Sequence, residues 1–316
     1  MMDVHPASAQ VTATSRRTPA NPFDLGQDDA YRRWLASKLE HYPRSTQQLI
    51  VEIRDPGALS RTERDAIIER CRKTNMAIYA CAAKRTHDKK IVQALGQQLG
   101  LHHMDSNLCA DTDSISSVRV MPAGQQHEYI PYSNRALKWH TDGYYNPPGR
   151  RVRAFILHCA SAAAEGGDNA LLDPEIVYLL LRNECADYVR FLMQHDAMRI
   201  PANVQAGEEI RRACVGPVFA VDDVTASLHM RYSARRRHIH WKSDAATQAA
   251  VRSLEDLLAA NSDYVFHHRL QAGQGIICNN VLHSRTAFVD DPAGGRERLL
   301  YRARYYDRIA GTFAGH

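Results

Sequence analysis

Two histidines and an aspartate are the residues of this chain whose types and spacing could do chemistry. In Leu137-Lys138-Trp139-His140-Thr141-Asp142-Gly143-Tyr144-Tyr145, the imidazole and the carboxylate stand two positions apart. Side chains of an extended chain return to the same side at every second residue, so His140 and Asp142 share a face. Far downstream, Asn279-Asn280-Val281-Leu282-His283-Ser284-Arg285 supplies another imidazole. Two nitrogens and one oxygen on one face of a metal leave its other positions open, the ligand set of non-haem Fe(II) oxygenases. Spacing alone is a weak signal, because a chain with 16 histidines carries about one H-x-D or H-x-E by chance. The surroundings must carry the weight.

Strands are needed to hold such a face together, and from residue 117 onward the sequence supplies them. Short apolar runs at 117–121, Leu137–His140, 152–159 and Asn169–Leu172 are punctuated by Asn146-Pro147-Pro148-Gly149 and Glu165-Gly166-Gly167-Asp168. A mostly helical insert is expected around 174–215. Strands return at 218–221, 227–232 and 238–241, followed by a helix at 245–260 with Val251, Leu254, Leu257 and Leu258 on one side. Further strands are expected at 264–270, 275–280, around His283 and at 299–306. Upstream, the order reads β-α-β-α: a strand at 48–53, a helix capped by Ser60 with Glu63 three residues on, a strand at 76–80 and a helix at 88–101. No glycine-rich phosphate loop accompanies it, so it is not a nucleotide-binding unit. Residues 1–25 have no apolar period and read as a flexible tail. The expectation is a mainly β chain with flanking helices (α+β), a double-sheet jelly roll forming one domain over 26–316.

Composition narrows the class. At 44% hydrophobic and 24% charged, the chain is of ordinary globular type, and no apolar run approaches a membrane span. The net charge of +5 sits in local arginine clusters, which suits small anions; without a reader motif, nucleic acid is not expected as a partner. Seven scattered cysteines without a C-x-x-C indicate reduced thiols, and no signal peptide is recognised at the start. Both point to the cytoplasm.

Four further motifs fall in order with His140-Thr141-Asp142: Gly166-Gly167-Asp168, His283-Ser284-Arg285-Thr286-Ala287-Phe288, Arg298 and Arg302 within Arg298-Leu299-Leu300-Tyr301-Arg302. Together they resemble the Fe(II)/2-oxoglutarate dioxygenases of the taurine dioxygenase (TauD/TfdA) family, most closely its clavaminate synthase-like branch. The resemblance covers roughly residues 49–308. It implies a double-stranded β-helix (cupin-like) and oxidative decarboxylation of 2-oxoglutarate by O2 to succinate and CO2, coupled to oxidation, usually hydroxylation, of an unactivated C–H bond. It implies His140, Asp142 and His283 as catalytic iron ligands, and Arg298 as the anchor of the distal 2-oxoglutarate carboxylate. Asn169 stands where many members have a co-substrate-binding threonine, and an amide can also donate a hydrogen bond. Arg302 matches an arginine that grips an acidic substrate group. Ascorbate as reductant, a small anionic substrate, and a homodimer or homotetramer complete what it implies. Halogenating relatives lack the carboxylate that Asp142 provides.

Each assignment has a plainer reading. His140 and His283 could be hydrogen-bonded structural residues, and Arg298 a salt-bridged strand residue. Arg304 shares a strand face with Arg302 and could take over its role. Tyr144, Tyr145 and Trp139 could wall a substrate pocket or simply be core aromatics. The cluster Arg231, Arg235, Arg236, Arg237, His238, His240 and Lys242 reads first as a solvated hairpin or an interface and second as an anion funnel; Arg150, Arg151 and Arg153 read likewise. The pairs His102-His103 and His267-His268 read as structural. Two other functions remain open on the residues alone: a metal-dependent cupin-like hydrolase or isomerase, and a non-catalytic iron/2-oxoglutarate sensor.

Overall fold

Alternation along each strand builds two cores at once. Met76 and Ile78 enter one apolar cluster, while Ala77 and Tyr79 enter another; Phe155 and Cys159 part in the same way from Ala154, Ile156 and Ala160, and Leu300 from Tyr301, Ala303 and Tyr305. A sheet buried on both faces reads as a continuous apolar run rather than a polar–apolar alternation. In a computed structural model, which describes residues 20–82, 87–106, 111–121, 129–235, 239–260 and 262–313, these residues form a six-stranded sheet. Its order is Ile50–Ile53, Met76–Cys81, Gln274–Cys278, Ala154–Ser161, Leu299–Tyr305 and Ser116–Val118. The first pair is parallel and the other neighbours are antiparallel. Helices Arg61–Thr74 and Lys90–Gln98 cover one face.

The other face shares its core with a four-stranded antiparallel sheet, ordered Phe266–His268, Asn169–Leu172, Leu282–Arg285 and Leu137–His140. Backbone bonds from Thr141 N–H to Tyr232 O (3.0 Å) and from Ala234 N–H to Trp139 O (2.8 Å) carry a further segment along its edge. Helices Pro174–Glu184, Ala186–Leu192 and Ala245–Ala259 enter the same core. The chain is strand-rich α+β, and no described helix is long and apolar enough to cross a membrane.

Local chemistry sets the ends of the elements. Ser60 Oγ accepts from Glu63 N–H while Glu63 Oε2 accepts from Ser60 N–H, closing the capping box read from the sequence. The strand expected from residue 48 starts at Ile50, because Gln48 folds back to accept from Arg44 and Ser45 and makes a 3-10 turn. The helix expected at 88–101 spans only Lys90–Gln98; Gly100, at φ +78, turns the chain out. The expectation of a mostly helical insert around 174–215 is corrected beyond Leu192. Residues 198–216 hold the short strands Met198–Ile200, Asn203–Gln205, Glu208–Arg211 and Cys214–Gly216, and the outer two alternate buried, exposed, buried. A period of two takes precedence over helix propensity there. Cys109, Arg236, Arg237, His238 and residues 1–19 of the expected 1–25 tail lie outside the described residues; Phe23, within that tail, is instead fully buried against Trp34 and Tyr178, so ordered packing begins before residue 26. The six described cysteines are free.

A buried ion cluster locks the first helix, Asp28–Leu39, to the insert. Lys38 Nζ lies 2.7 Å from Asp173 Oδ2 and 2.6 Å from Glu175 Oε2, and Asp173 also caps helix Pro174–Glu184. Removing one member of such a group leaves uncompensated charge in the interior. Lys38→Ala is therefore expected to cost about 3–5 kcal/mol in urea denaturation; a loss within the error of a surface substitution would refute the cluster's structural role.

Candidate metal centre

The small sheet places the two histidines by register alone. His140 and His283 are direct cross-strand partners, with ring centroids 4.1 Å apart. One extra residue on the Leu137–His140 strand, between the pairs His283–His140 and Arg285–Leu137, makes a bulge beside them. His140 Nδ1 and His283 Nδ1 each lie 2.9 Å from the backbone oxygen two residues back, Lys138 O and Val281 O. A carbonyl oxygen only accepts, so both Nδ1 atoms carry the hydrogen and both Nε2 atoms keep a free lone pair. Fixing one ring nitrogen this way sets the tautomer needed to bind metal through the other. Phe155 from the large sheet packs on the His283 ring at 4.8 Å.

Asp142 sits just past the strand end, not within it, and reaches the same spot from a turn. Gly143 makes that turn at φ +65, and a Cβ there would come within 2.5 Å of Val152. Asn280 clamps the turn from beneath: its Oδ1 accepts from Asp142 N–H, and its Nδ2 donates to Asp142 O and Val152 O. Asn280 is not among the residues expected at the site, and its role depends on a contact across 138 positions of sequence. Ligand atoms of His140, Asp142 and His283 all lie within 4.8 Å of one another. Asp142 Oδ1 accepts from Arg302 Nη1 at 3.2 Å, whereas Oδ2 is buried with no partner. An orphaned carboxylate oxygen beside two free imidazole nitrogens fits a divalent cation.

Electrostatics agree with that fit. Burial, and then the neighbouring His283, push the His140 pKa down to about 3, and burial lowers that of His283. Burial alone would raise Asp142, but Arg302 and then Arg304 outweigh it and hold the carboxyl well below its usual range. Two neutral imidazoles and an ionised carboxylate are the protonation states a metal requires.

The arginines separate into different environments. Arg304 is committed, donating through Nη1 to Tyr145 Oη at 2.9 Å and through Nη2 to Asp105. Arg302 has Asp142 as its ion-pair partner. Arg298 lines a separate recess with Asn169, Gly167, Arg269, Cys159 and Leu300, and its Nη1 is buried and unbonded. Asn169 Nδ2 donates to His268 O at 3.3 Å. Tyr144 packs edge-on against Tyr145 at 5.2 Å, and both, like Trp139, lie against the core while partly exposed. Arg231 departs from the hairpin reading: it is buried, and its Nε and Nη2 donate to Tyr144 O and Cys214 O. The H-x-D spacing occurs a second time, at His103-Met104-Asp105, where His103 pairs with Asp307 and Asp105 with Arg304. Sequence spacing cannot separate the two; strand register does.

His140 is neutral in the folded chain near pH 5 but largely protonated when unfolded, where its pKa is about 6.5. The unfolded state binds more protons between these values, so stability rises with pH across that window. The metal-free chain is expected to lose stability as pH falls from about 6.5 toward 3, and His140→Gln should flatten part of that slope in denaturation series. An unchanged slope would contradict the buried neutral imidazole.

Residues 44–304 match the family described as taurine catabolism dioxygenase TauD, TfdA family. A uridine-5'-phosphate dioxygenase of Streptomyces sp is 28% identical over 228 residues, covering 70% of this chain and 81% of that protein. Another, of Amycolatopsis sp, is 30% identical over 172 residues, 53% of this chain and 60% of that protein. Among solved structures, asparagine oxygenase in complex with Fe(II), hydroxyasparagine and succinate aligns with TM-score 0.55 at 16% identity, over 92% of this chain and 86% of that one. The non-heme iron oxygenase OrfP in complex with Fe and alpha-ketoglutaric acid aligns with TM-score 0.58 at 13% identity, over 81% and 86%. With the family match spanning the metal motif, both sheets and the arginine strand, the chain belongs to the TauD/TfdA family and is a 2-oxoglutarate-dependent non-haem iron dioxygenase.

Proposed function

We propose that His140 Nε2, His283 Nε2 and Asp142 Oδ2 hold the iron, that Arg298 and Asn169 take the distal carboxylate of 2-oxoglutarate, and that Arg302, with Tyr144 and Tyr145, receives a small anionic substrate. The two sheets would then be the halves of a double-stranded β-helix, as the resemblance implies. Bound iron with 2-oxoglutarate and O2 supplies the oxidation of an unactivated C–H bond, with release of succinate and CO2.

The carrying observation is Asp142. One oxygen is held by Arg302 and the other is left bare beside two imidazoles whose far nitrogens are tethered. Arg302 orients the carboxylate and keeps it ionised, while Asn280 fixes the backbone that carries it. The unbonded Nη1 of Arg298 offers a buried fork end suited to a carboxylate. Because Arg304 is committed to Asp105 and Tyr145, Arg302 is the better candidate for substrate. The curated relatives are named for uridine 5'-phosphate, so phosphorylated and carboxylated small molecules head the substrate list, with hydroxylation the first outcome to seek.

Anaerobic titration with Fe(II) and 2-oxoglutarate should develop the weak visible charge-transfer band of a metal-bound oxo acid, and substrate with O2 should then yield succinate. His140→Ala should abolish both; turnover independent of O2 and the oxo acid would overturn the reading. Arg298→Ala should raise the KM for 2-oxoglutarate more than about 30-fold, as truncating a buried charge pair costs about 2–5 kcal/mol. Asn280→Ala should weaken Fe(II) binding about 10–100-fold, the usual effect of losing a group that orients a ligand, measured by competition with a chelator.

A further inference from the structure

Behind the turn that follows Asp142 lies a second recess, lined among others by Asn146, Arg151, Cys214, Gly216, His229 and Arg231. Its charge is one-sided. The charged groups acting on the His229 ring are Arg151, Arg153, Arg308 and Arg231, all cations. Arg153 is paired with Asp222 at 3.2 Å, and Arg308 is held by Asn75 at 2.6 Å with Glu175 at 4.0 Å. Arg231 is fixed by neutral carbonyls, which position its charge without cancelling it. The carboxylates nearest Arg151 in effect are Asp222 and Asp223, and Asp222 is engaged by Arg153 and by Thr225. Among the described residues, neither the Arg151 guanidinium nor the His229 ring has a hydrogen-bond or ion-pair partner.

Close packing holds this arrangement. A Cβ on Gly216 would stand 2.9 Å from Arg231 Nη1, so glycine lets the guanidinium lie against that strand without shifting. The recess is shallow and open at its mouth, and its interior holds about 10 Å³, little more than one water. It encloses no nucleoside; a tetrahedral oxyanion or a phosphoryl group would seat one face at the open mouth, against the Arg151, His229 and Arg231 side chains that line it. Guanidinium forks pair with phosphate oxygens through two parallel hydrogen bonds, and an anion would meet Arg151 and Arg231, the two cations lining the recess that have no carboxylate bonded to them.

We propose that this recess is a binding site for a phosphate-type oxyanion, with Arg151 as its unpaired anchor, Arg231 as its fixed charge and His229 as a further donor. The oxyanion could be a free ion or the phosphoryl group of a substrate reaching round the Gly143–Asn146 turn, and the two sources are separable. Calorimetric titration of the full chain with inorganic phosphate should show saturable binding. Arg151→Glu should weaken it at least about tenfold, or ~1.4 kcal/mol, with Arg151→Lys, which keeps the charge but loses the fork, falling between the parent and Arg151→Glu. Thermal denaturation of each variant checks folding, which the partnerless Arg151 side chain should not disturb. Absence of saturable phosphate binding in the parent chain, or undiminished binding in folded Arg151→Glu, would overturn the proposal. Uridine 5'-phosphate and uridine form the second arm. Loss of affinity in Arg151→Glu for both inorganic phosphate and the nucleotide, with uridine unaffected, assigns the site to a substrate phosphoryl group; loss for inorganic phosphate without loss for the nucleotide assigns it to a free ion. Phosphate binding needs neither iron nor turnover, so failure of the oxygenase assignments would leave this titration unaffected.

Discussion

The pairing of Leu137–His140 with Leu282–Arg285 is the constraint on which the rest of the centre depends. Register, not local sequence, sets His140 opposite His283. Because side chains alternate faces with period two, a slip of one residue would send one imidazole to the opposite face and dissolve the site. The apolar residues on these strands and the core beneath them hold the register, so stability of the small sheet and integrity of the metal site are the same property. The two Nδ1–carbonyl bonds add the final constraint, turning each ring so that its free nitrogen points where the partner's does.

Charge balance comes next. Burying an ionised carboxylate costs several kcal/mol, and a cation about 3 Å away returns on the order of 5 kcal/mol at an effective dielectric near 20. Arg302 at 3.2 Å is therefore sufficient to keep Asp142 ionised with both imidazoles neutral. It leaves one carboxylate oxygen unbonded, so the interaction that stabilises the charge does not consume the atom that a metal would use. Arg304 could not do this and hold Tyr145 as well, because its fork is already closed by Asp105.

What the sequence reveals follows from how local each cause is. Capping at Ser60, the turn at Asn146-Pro147-Pro148-Gly149 and the apolar runs of the central strands depend on residues within a few positions of one another, and they read directly. The triad reads from residue type and from its order with the other motifs. Asn280 does not, since an amide next to another amide carries no mark of the backbone 138 positions away that it clamps. Arg231 misleads for the related reason that arginine-rich stretches usually meet water; here the carbonyls it holds come from elsewhere in the chain. The insert misleads because the period of two in its three-residue strands is set by pairing with partners elsewhere, Met198–Ile200 with both Cys214–Gly216 and His240–Trp241, and three residues are too few to show it locally in the sequence.

The same reasoning bears on how the turn after Asp142 can serve two neighbours. One side carries the carboxylate of the metal centre; the other presents Tyr144 O to Arg231, and Asn146 O to the Cys214 thiol. Its backbone is fixed at both ends, by Asn280 beneath Asp142 and by the Asn146 amide donating to Arg150 O. A segment restrained in this way has little freedom to shift one face without the other. Charge gathered at Arg151 and Arg231, beside the neutral His229 ring, therefore lies against the rigid backbone that positions Asp142, and a group bound there would meet the turn already in the geometry that the metal centre requires.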